Sequence, residues 1–463
     1  MTGTETTRGS ASEWPNVSSS DAGRRTAASA GGVILLVGVL YLTATGRWGS
    51  YLAPPGLPLF VTDVVLLAAV VATIVGARRS PLEARAILRQ HAGAPLALLL
   101  CLSLLGWAVA RAVVSLPGEI EDPLTALRDL APYGYAVASV VAYLQPWSGK
   151  LASGLVYGAL TTHVTWILWA PRLPGWPARW PTLGDAAIFT ARPDFDGTVL
   201  GSAVALALYR LLLSGRSLPR RGLVALVAFG GVNAYALATL PSRAGLLAGL
   251  FAIGVVVVAS ISPTSSRRAL QVGLRVPPKL LVAGLVLLVA GLAVSPAGQR
   301  LAEVFRGDQG LALGTVQARE VAWSGVVDYV TSDASRTAIG VGFGPDFILD
   351  SGTQDALEGT QYDNVRSPHN YLLGTLARLG VAGGLLAGLL MVAAGALAVG
   401  ALRRSVDEVT ALAALLVLSL PLTAFLGVIL ESPFGALPYF WAVGHLARSA
   451  WEARGGSPAT SLT

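Results

Sequence analysis

Charge is what this sequence has least of. Asp, Glu, Lys and Arg make up 13% of its 463 residues, about half the share carried by a soluble domain. A chain this long with so little solvated surface is excluded as an ordinary water-soluble globule. Cysteine is nearly absent too. The single residue, Cys101, lies in an apolar run, which excludes an intrachain disulfide and leaves it as a small core residue. Only two lysines, Lys150 and Lys279, stand among the 33 basic residues, and there are four histidines. No zinc-ligand spacing, Walker sequence or nucleophile elbow occurs, so those routes to hydrolysis and nucleotide chemistry have no carrier. No fixed-period repeat or heptad pattern is present.

What the chain does have is apolar length. The hydrophobic share is 53% and the mean hydropathy is +0.62. Stretches long enough to cross a bilayer recur from residue 31 to residue 449. The expected fold is all-α: a polytopic membrane helical bundle of about 12 transmembrane helices with one large external loop. The spans centre near 32–46, 57–77, 93–115, 129–145, 151–170, 195–214, 222–240, 243–262, 279–297, 370–400, 409–429 and 435–449. The organisation follows: a disordered Ser/Thr/Gly-rich tail over 1–30, helices one to nine over 31–297, the external loop over 298–368, helices ten to twelve over 369–450, and a short tail over 451–463.

The net charge of +7 does not point to nucleic acid, because the positive residues cluster in short loops between spans. Arg78, Arg79, Arg85 and Arg89 follow the second span. Arg216, Arg220 and Arg221 follow the sixth, Arg267, Arg268, Arg275 and Lys279 the eighth, and Arg403 and Arg404 the tenth. These connections, with the tail carrying Arg24 and Arg25, are expected on the cytoplasmic side. Both termini are then cytoplasmic, and the localisation is a multi-pass plasma-membrane protein.

The external loop of about 70 residues is where function is expected, since long loops seldom persist as mere connectors. Within it "VQAREVAWSGVVDYV" has helical spacing, with Val316, Trp323, Val326, Val327 and Val330 on one stripe, and Arg319 four residues before Trp323 on a shared face. The stretch from residue 337 to 365 is Gly- and Asp-rich and reads as irregular. Gly340, Gly342 and Gly344 lack the strand-turn-helix context of a phosphate loop, so a tight turn is the better reading. Asp346, Asp350, Asp355, Glu358 and Asp363 match no EF-hand spacing and read as a solvated loop.

Topology alone gathers chemistry on the external side. "LPSRAGLLAGL" turns the seventh span into the eighth and leaves Arg243 at the outer start of the eighth. "SPHNYLLGTLARLG" leaves His369 at the outer start of the tenth, and Arg319 comes from the loop between. Helix N-termini offer unpaired N–H groups and partial positive charge, and arginine forks bind phosphate bidentately. Such a site suits an anion at the membrane surface, with a histidine that can move a proton near neutral pH. Taken singly, the residues have plainer readings: Arg243 snorkelling into headgroups, His369 and Asn370 capping a helix, Arg319 a solvated charge. Arg192, Trp323 and Asn370 are further candidates for substrate contact. Trp176 and Trp180 read as sugar-stacking or as interface anchors. Arg378, nine residues past His369, falls on the opposite helix face and about 13 Å deeper, as a partner for a buried acid.

The segments "SRAGLLAGL" (242–250), "AREVAW…GVGFG" (318–344) and "SPHNYLLGTLARLGVAGG" (367–384) resemble the O-antigen ligase and O-antigen polymerase family of bacterial membrane glycosyltransferases. The resemblance implies a GT-C-like bundle acting on a glycan carried by undecaprenyl pyrophosphate, by inverting, metal-independent transfer without a cofactor. It implies Arg243 and Arg319 as pyrophosphate ligands and His369 as the catalytic group. The partners it implies are a polyprenyl-pyrophosphate-linked glycan donor, a glycan, lipid or cell-wall acceptor, and membrane lipids. A different class of function, a transporter or flippase of the same lipid-linked glycan, calls for ionisable groups near the bilayer midplane, where Arg111, Arg210 and Arg378 are the candidates.

Overall fold

The computed structural model describes residues 30–50, 60–79, 95–115, 123–172, 182–183, 186–187, 191–212, 218–261, 291, 294–295, 298–299, 302, 311–358, 366–404 and 406–454. Among these the chain is helical apart from a two-residue antiparallel pair, Thr182–Leu183 with Ala186–Ala187. In chain order the helices are α1 (Ala30–Thr45), α2 (Arg47–Ser50), α3 (Val61–Arg79), α4 (Leu96–Ser115), α5 (Pro123–Gly134), α6 (Val137–Leu144), α7 (Lys150–Trp169), α8 (Pro193–Leu212), α9 (Arg220–Thr239) and α10 (Arg243–Ile261). They continue with α11 (Leu311–Thr331), α12 (Ala334–Ile339), α13 (Phe347–Asp350), α14 (Thr353–Leu357), α15 (Tyr371–Arg403), α16 (Glu408–Ala424) and α17 (Pro433–Glu452).

Seven of the described helices are long and apolar enough to cross a membrane: α3, α4, α7, α8, α9, α10 and α15. The protein is a multi-pass membrane protein. The expected twelve spans depart from this in identifiable places. Helices α1 and α16 are apolar but have only 16 and 17 residues. The expected span over 129–145 is instead two short helices, α5 and α6, divided at Tyr135 and Ala136, with Pro132 in the last turn of α5. Helix α17 is enclosed on nearly every face and carries His445, Arg448 and Glu452, so it lacks a lipid-facing helix's uniform apolarity. The expected span over 279–297 lies, but for residues 291 and 294–295, outside the described residues.

Packing between helices in lipid depends on close approach and hydrogen bonds, because lipid tails are as apolar as leucine. Helices α8 and α10 show both parts of this. Gly197 meets Gly245 and Gly201 meets Gly249, two four-residue glycine spacings that bring the backbones together in parallel. On its other flank α8 meets α16 through hydroxyl pairs, Thr198 with Thr423 at 2.6 Å and Ser202 with Ser419 at 3.3 Å, all four fully buried. The N-termini of α8 and α10 are thereby fixed side by side.

Helix α15 is not one helix. At 33 residues it would run about 50 Å, against a hydrocarbon core of about 30 Å. It breaks at Gly380, where φ is 66° and ψ is −169°. The second segment, 381–403, has the length of a span, and the first, 371–379, is a separate short helix carrying the expected site. The carbonyls freed by the break are taken up at once. The N–H groups of Val341 and Gly342 donate to the carbonyls of Ala377 and Arg378 at 2.8 and 3.0 Å, and Trp107 Nε1–H donates to that of Leu379 at 2.9 Å. Arg111 secures the inserted loop through the Gly340 carbonyl at 3.0 Å. The turn at Gly340, Gly342 and Gly344 has positive φ at all three positions (74°, 86°, 106°), as the turn reading required.

The segment around this turn is more ordered than expected. The stretch read as irregular contains the end of α12 and all of α13 and α14. Helix α11 is present, but its buried stripe is Ala318, Ala322, Val326 and Val330, packed on Phe347, Ile348, Leu357 and Ala377. Val327 is 37% exposed and belongs to the outer face; the side chain of Val316 lies outside the described residues. Asp346 is not merely solvated: it caps α13 and pairs with Arg366 at 3.1 Å.

Gly340 and Gly380 lie so close that a Cβ on either would overlap the other strand's backbone. Gly380→Ala is expected to destabilise the protein by more than about 2 kcal/mol, because it adds a left-handed φ penalty to an unavoidable overlap. Thermal unfolding in detergent checks this against Gly384→Ala, whose Cβ would meet only ordinary contacts.

Candidate functional site

Residues Ser367 to Asn370 join the external segment to α15, and each has its own anchor. Ser367 Oγ donates to Glu431 Oε1 at 3.0 Å. The Pro368 carbonyl accepts from Trp323 Nε1–H at 2.7 Å. His369 Nδ1 lies 3.1 Å from the Ser367 carbonyl. Asn370 Oδ1 accepts from the N–H groups of Leu372 and Leu373 at 3.1 and 3.2 Å, capping the first turn. Asn370 is therefore the cap, and its side-chain oxygen is committed to the helix. Trp323 likewise holds the turn with its one donor.

His369 itself has φ 53°, the one positive φ outside glycine among the described residues. A left-handed residue with a bulky side chain costs about 1–3 kcal/mol and persists where its surroundings over-determine it. The anchors before and after it do so. A carbonyl can only accept, so the contact with Ser367 requires the proton on Nδ1 and puts the lone pair of the neutral ring on Nε2.

Three charged residues act on this ring: Arg319, Arg192 and Asp194. Burial moves the His369 pKa below its ordinary value of 6.5, the two arginines push it the same way, and the Ser367 carbonyl and Asp194 oppose. Arg319 comes from α11 on the same face as Trp323, and its Nε is buried with no hydrogen-bond partner among the described residues. Arg192 precedes α8, and its Nε lies 3.1 Å from Asp194 Oδ1. Arg243 begins α10, where the Ser242 hydroxyl accepts from the Gly245 N–H at 3.0 Å. A Cβ on Gly245 would lie 2.9 and 3.0 Å from the carbonyls of Pro193 and Asp194, which places Arg243 at the same end as the Arg192–Asp194 pair. The structure thus puts Arg319 and Arg192 within electrostatic reach of His369, sets Arg243 at the same helix end as the Arg192–Asp194 pair, places Asn370 in the turn that carries the histidine, and has Trp323 bond that turn from α11.

Arg378 has the structural role its spacing suggested. It pairs with Asp129 Oδ1 at 3.3 Å and with Glu431 Oε2 at 3.6 Å, and Arg366 approaches Asp129 Oδ2 at 4.0 Å. Glu431 joins this network to the histidine turn through Ser367. Sequence reading missed Asp194, Asp129 and Glu431. Asp194 and Glu431 left one trace, an acid directly beside the start of an apolar run in "RPDFDG" and "LESPF". The buried pair His163–Asp196, 3.7 Å apart below Asp194, also went unread. Arg111 and Arg210, the other span-embedded candidates, hold the Gly340 carbonyl and Glu408 (3.4 Å) respectively. Trp176 and Trp180 lie outside the described residues. Among the described residues no three His, Cys, Asp or Glu side chains group so as to hold a metal ion.

Comparison with known proteins adds one match. Residues 232–388 match the family model described as O-antigen ligase. That interval contains Arg243, Arg319, Trp323, His369 and Asn370, and ends in the second segment of α15. It bears out the resemblance drawn from the three motifs, and it supports an O-antigen ligase or polymerase type of membrane glycosyltransferase in general terms. No curated protein matches the chain.

Trp323→Phe keeps the ring and removes the donor, leaving the buried Pro368 carbonyl unsatisfied. The expected cost is about 1–3 kcal/mol, read as a fall in the unfolding temperature of a few degrees. An unchanged transition would show that the turn does not depend on this bond.

Proposed function

We propose that this chain, with its O-antigen ligase region over 232–388, is a glycosyltransferase that polymerises or ligates an undecaprenyl-pyrophosphate-linked glycan on the external face of the cytoplasmic membrane. The observation that carries the reading is a strained, two-sidedly anchored histidine whose Nδ1 faces a carbonyl, under the charge of Arg319 and Arg192. Arg220 opens α9 at the end away from Arg243, and Arg403 closes α15 at the end away from His369, which supports an external site with both termini cytoplasmic. Donor and acceptor are a polyprenyl-linked glycan and a glycan, lipid or cell-wall hydroxyl.

The chemistry needs little beyond fixed charge. A sugar on pyrophosphate already has a good leaving group. The acceptor oxygen attacks the anomeric carbon, its proton passes to His369 Nε2, and the bond from that carbon to the pyrophosphate oxygen breaks. The lipid pyrophosphate departs with one more negative charge, which Arg319, Arg243 and Arg192 stabilise together with the N-termini of α8 and α10. A single displacement inverts the anomeric centre and requires one base and no covalent intermediate. Asp194 keeps Arg192 oriented. Transport is the weaker reading, because Arg111, Arg210 and Arg378 are each engaged with a carbonyl or a carboxylate that joins helices.

Purified variants assayed for glycan transfer from a polyprenyl-pyrophosphate donor test this. Arg319→Ala and Arg243→Ala are each expected to lower the rate about 10²–10³-fold, as for loss of one transition-state donor. His369→Ala is expected to lose about 10²–10⁴-fold. Full transfer by all three would overturn the assignment. Because the His369 pKa is lowered, the neutral base persists into acid. The rate should therefore fall with decreasing pH through a midpoint below 6.5.

A further inference from the structure

Two residues outside the cationic cluster form a continuous linkage to the histidine ring. Glu431 lies in the short 3-10 turn Ile429–Glu431 between α16 and α17, in a part of the chain beyond the matched interval. Its Oε1 accepts from Ser367 Oγ at 3.0 Å, and its Oε2 lies 3.6 Å from Arg378. Gly374 makes room for it, since a Cβ there would stand 2.9 Å from Oε1. From the same serine the backbone carbonyl faces His369 Nδ1 at 3.1 Å. One residue therefore receives a fixed carboxylate on its side chain and presents a fixed acceptor to the ring.

We propose that Ser367 and Glu431 are positioning residues for proton transfer at His369: they hold the Ser367 carbonyl where it keeps the proton on Nδ1 and so present Nε2 to the acceptor hydroxyl. Neither touches substrate. The inference rests on His369 being the base assigned under the proposed function.

The physical argument is one of tautomer and aim. A neutral imidazole can carry its proton on either nitrogen, and only the Nδ1–H form exposes the Nε2 lone pair. At His369 the backbone is left-handed, so the ring's direction follows the turn and not a regular element. The Trp323 bond fixes the Pro368 carbonyl from the external side, and the Glu431 bond fixes Ser367 from the bundle side. Removing the serine hydroxyl leaves the carbonyl in place chemically but frees it to rotate. Misplacing a reacting group by about 1 Å can cost on the order of 10²-fold in rate. Burial raises the Glu431 pKa, while Arg378 and the Ser367 hydroxyl hold it down and Asp129 adds to the rise. The groups acting on the His369 ring are Arg319 and Arg192, Asp194 and the Ser367 carbonyl.

The experiment compares Ser367→Ala, Ser367→Thr, Glu431→Gln and the Ser367→Ala/Glu431→Gln double variant of the full chain, with kcat and donor KM measured across pH. Ser367→Ala is expected to lower kcat about tenfold or more with donor KM within about twofold, the pattern of a lost transition-state arrangement. Its acid-limb midpoint should move to lower pH, because loosening the carbonyl removes a bond that favours the protonated ring. Ser367→Thr, which keeps the hydroxyl, should restore most of the rate. Glu431→Gln should lower kcat in the parent chain and have little further effect beside Ser367→Ala, so that the two losses do not add. A merely structural bond would lower the unfolding temperature and leave the midpoint unmoved. An unchanged kcat or midpoint in Ser367→Ala, or strictly additive losses, overturns the inference. His369→Ala, assayed alongside, separates the two levels. If it abolishes transfer while Ser367→Ala does not slow it, only the positioning inference fails. If it leaves transfer intact, the base assignment fails and this inference with it.

Discussion

A backbone that stops being helical beside a membrane must find partners for its carbonyls, and the break in α15 is where this protein meets that requirement. The carbonyls of Ala377, Arg378 and Leu379 have no helical successors, and leaving them bare in an apolar setting would cost several kcal/mol each. The external turn and the Trp107 indole supply the donors. With that one arrangement the first segment of α15 stands as an independent platform, the loop is pulled onto the bundle, and Arg378 is placed between Asp129 and Glu431. The histidine turn sits at the other end of the same short platform, so its position is inherited from the break.

The site then draws its parts from four distant stretches of chain. Helix α11 contributes Arg319 and the indole bond to Pro368. The approach to α8 contributes Arg192 and Asp194, α10 contributes Arg243, and the α16–α17 connection contributes the carboxylate behind Ser367. Buried hydroxyl pairs and glycine contacts join α8 to its neighbours α16 and α10. Arg111 and Arg210, two of the charged residues that enter apolar helices, end on carbonyl or carboxylate oxygens.

Much of this was legible from composition and order of residues. Scarce charge and long apolar runs gave a helical membrane protein. Three short motifs gave the resemblance and the residues to watch. Positive-φ glycines and the Arg378 pairing followed from spacing. What could not be read had a common physical cause. The break at Gly380 looks, in one dimension, like a glycine inside a long span, because the donors that relieve it come from residues 107, 341 and 342. Span counting has no access to tertiary enclosure, as in α17, whose polarity is tolerated because protein surrounds it. The stripe on α11 shifted from Val327 to the alanines because α11 packs closely on short helices, and small residues permit the approach. Asn370 and Trp323, expected as further substrate contacts, also hold the histidine turn, a second use of a polar group that sequence does not separate from the first.

The paired glycines of α8 and α10 carry one more implication. Contacts repeating every four residues act as a ruler with marks about 6 Å apart, because each glycine fits only opposite another glycine. Sliding one helix past the other by less than a whole mark would drive side chains into backbone. The interval between Arg192 and Arg243, which stand at the heads of those two helices, is therefore quantised and stiff. Whatever lies between those two helix heads therefore meets a spacing set by the glycine contacts and not by the flexibility of a loop.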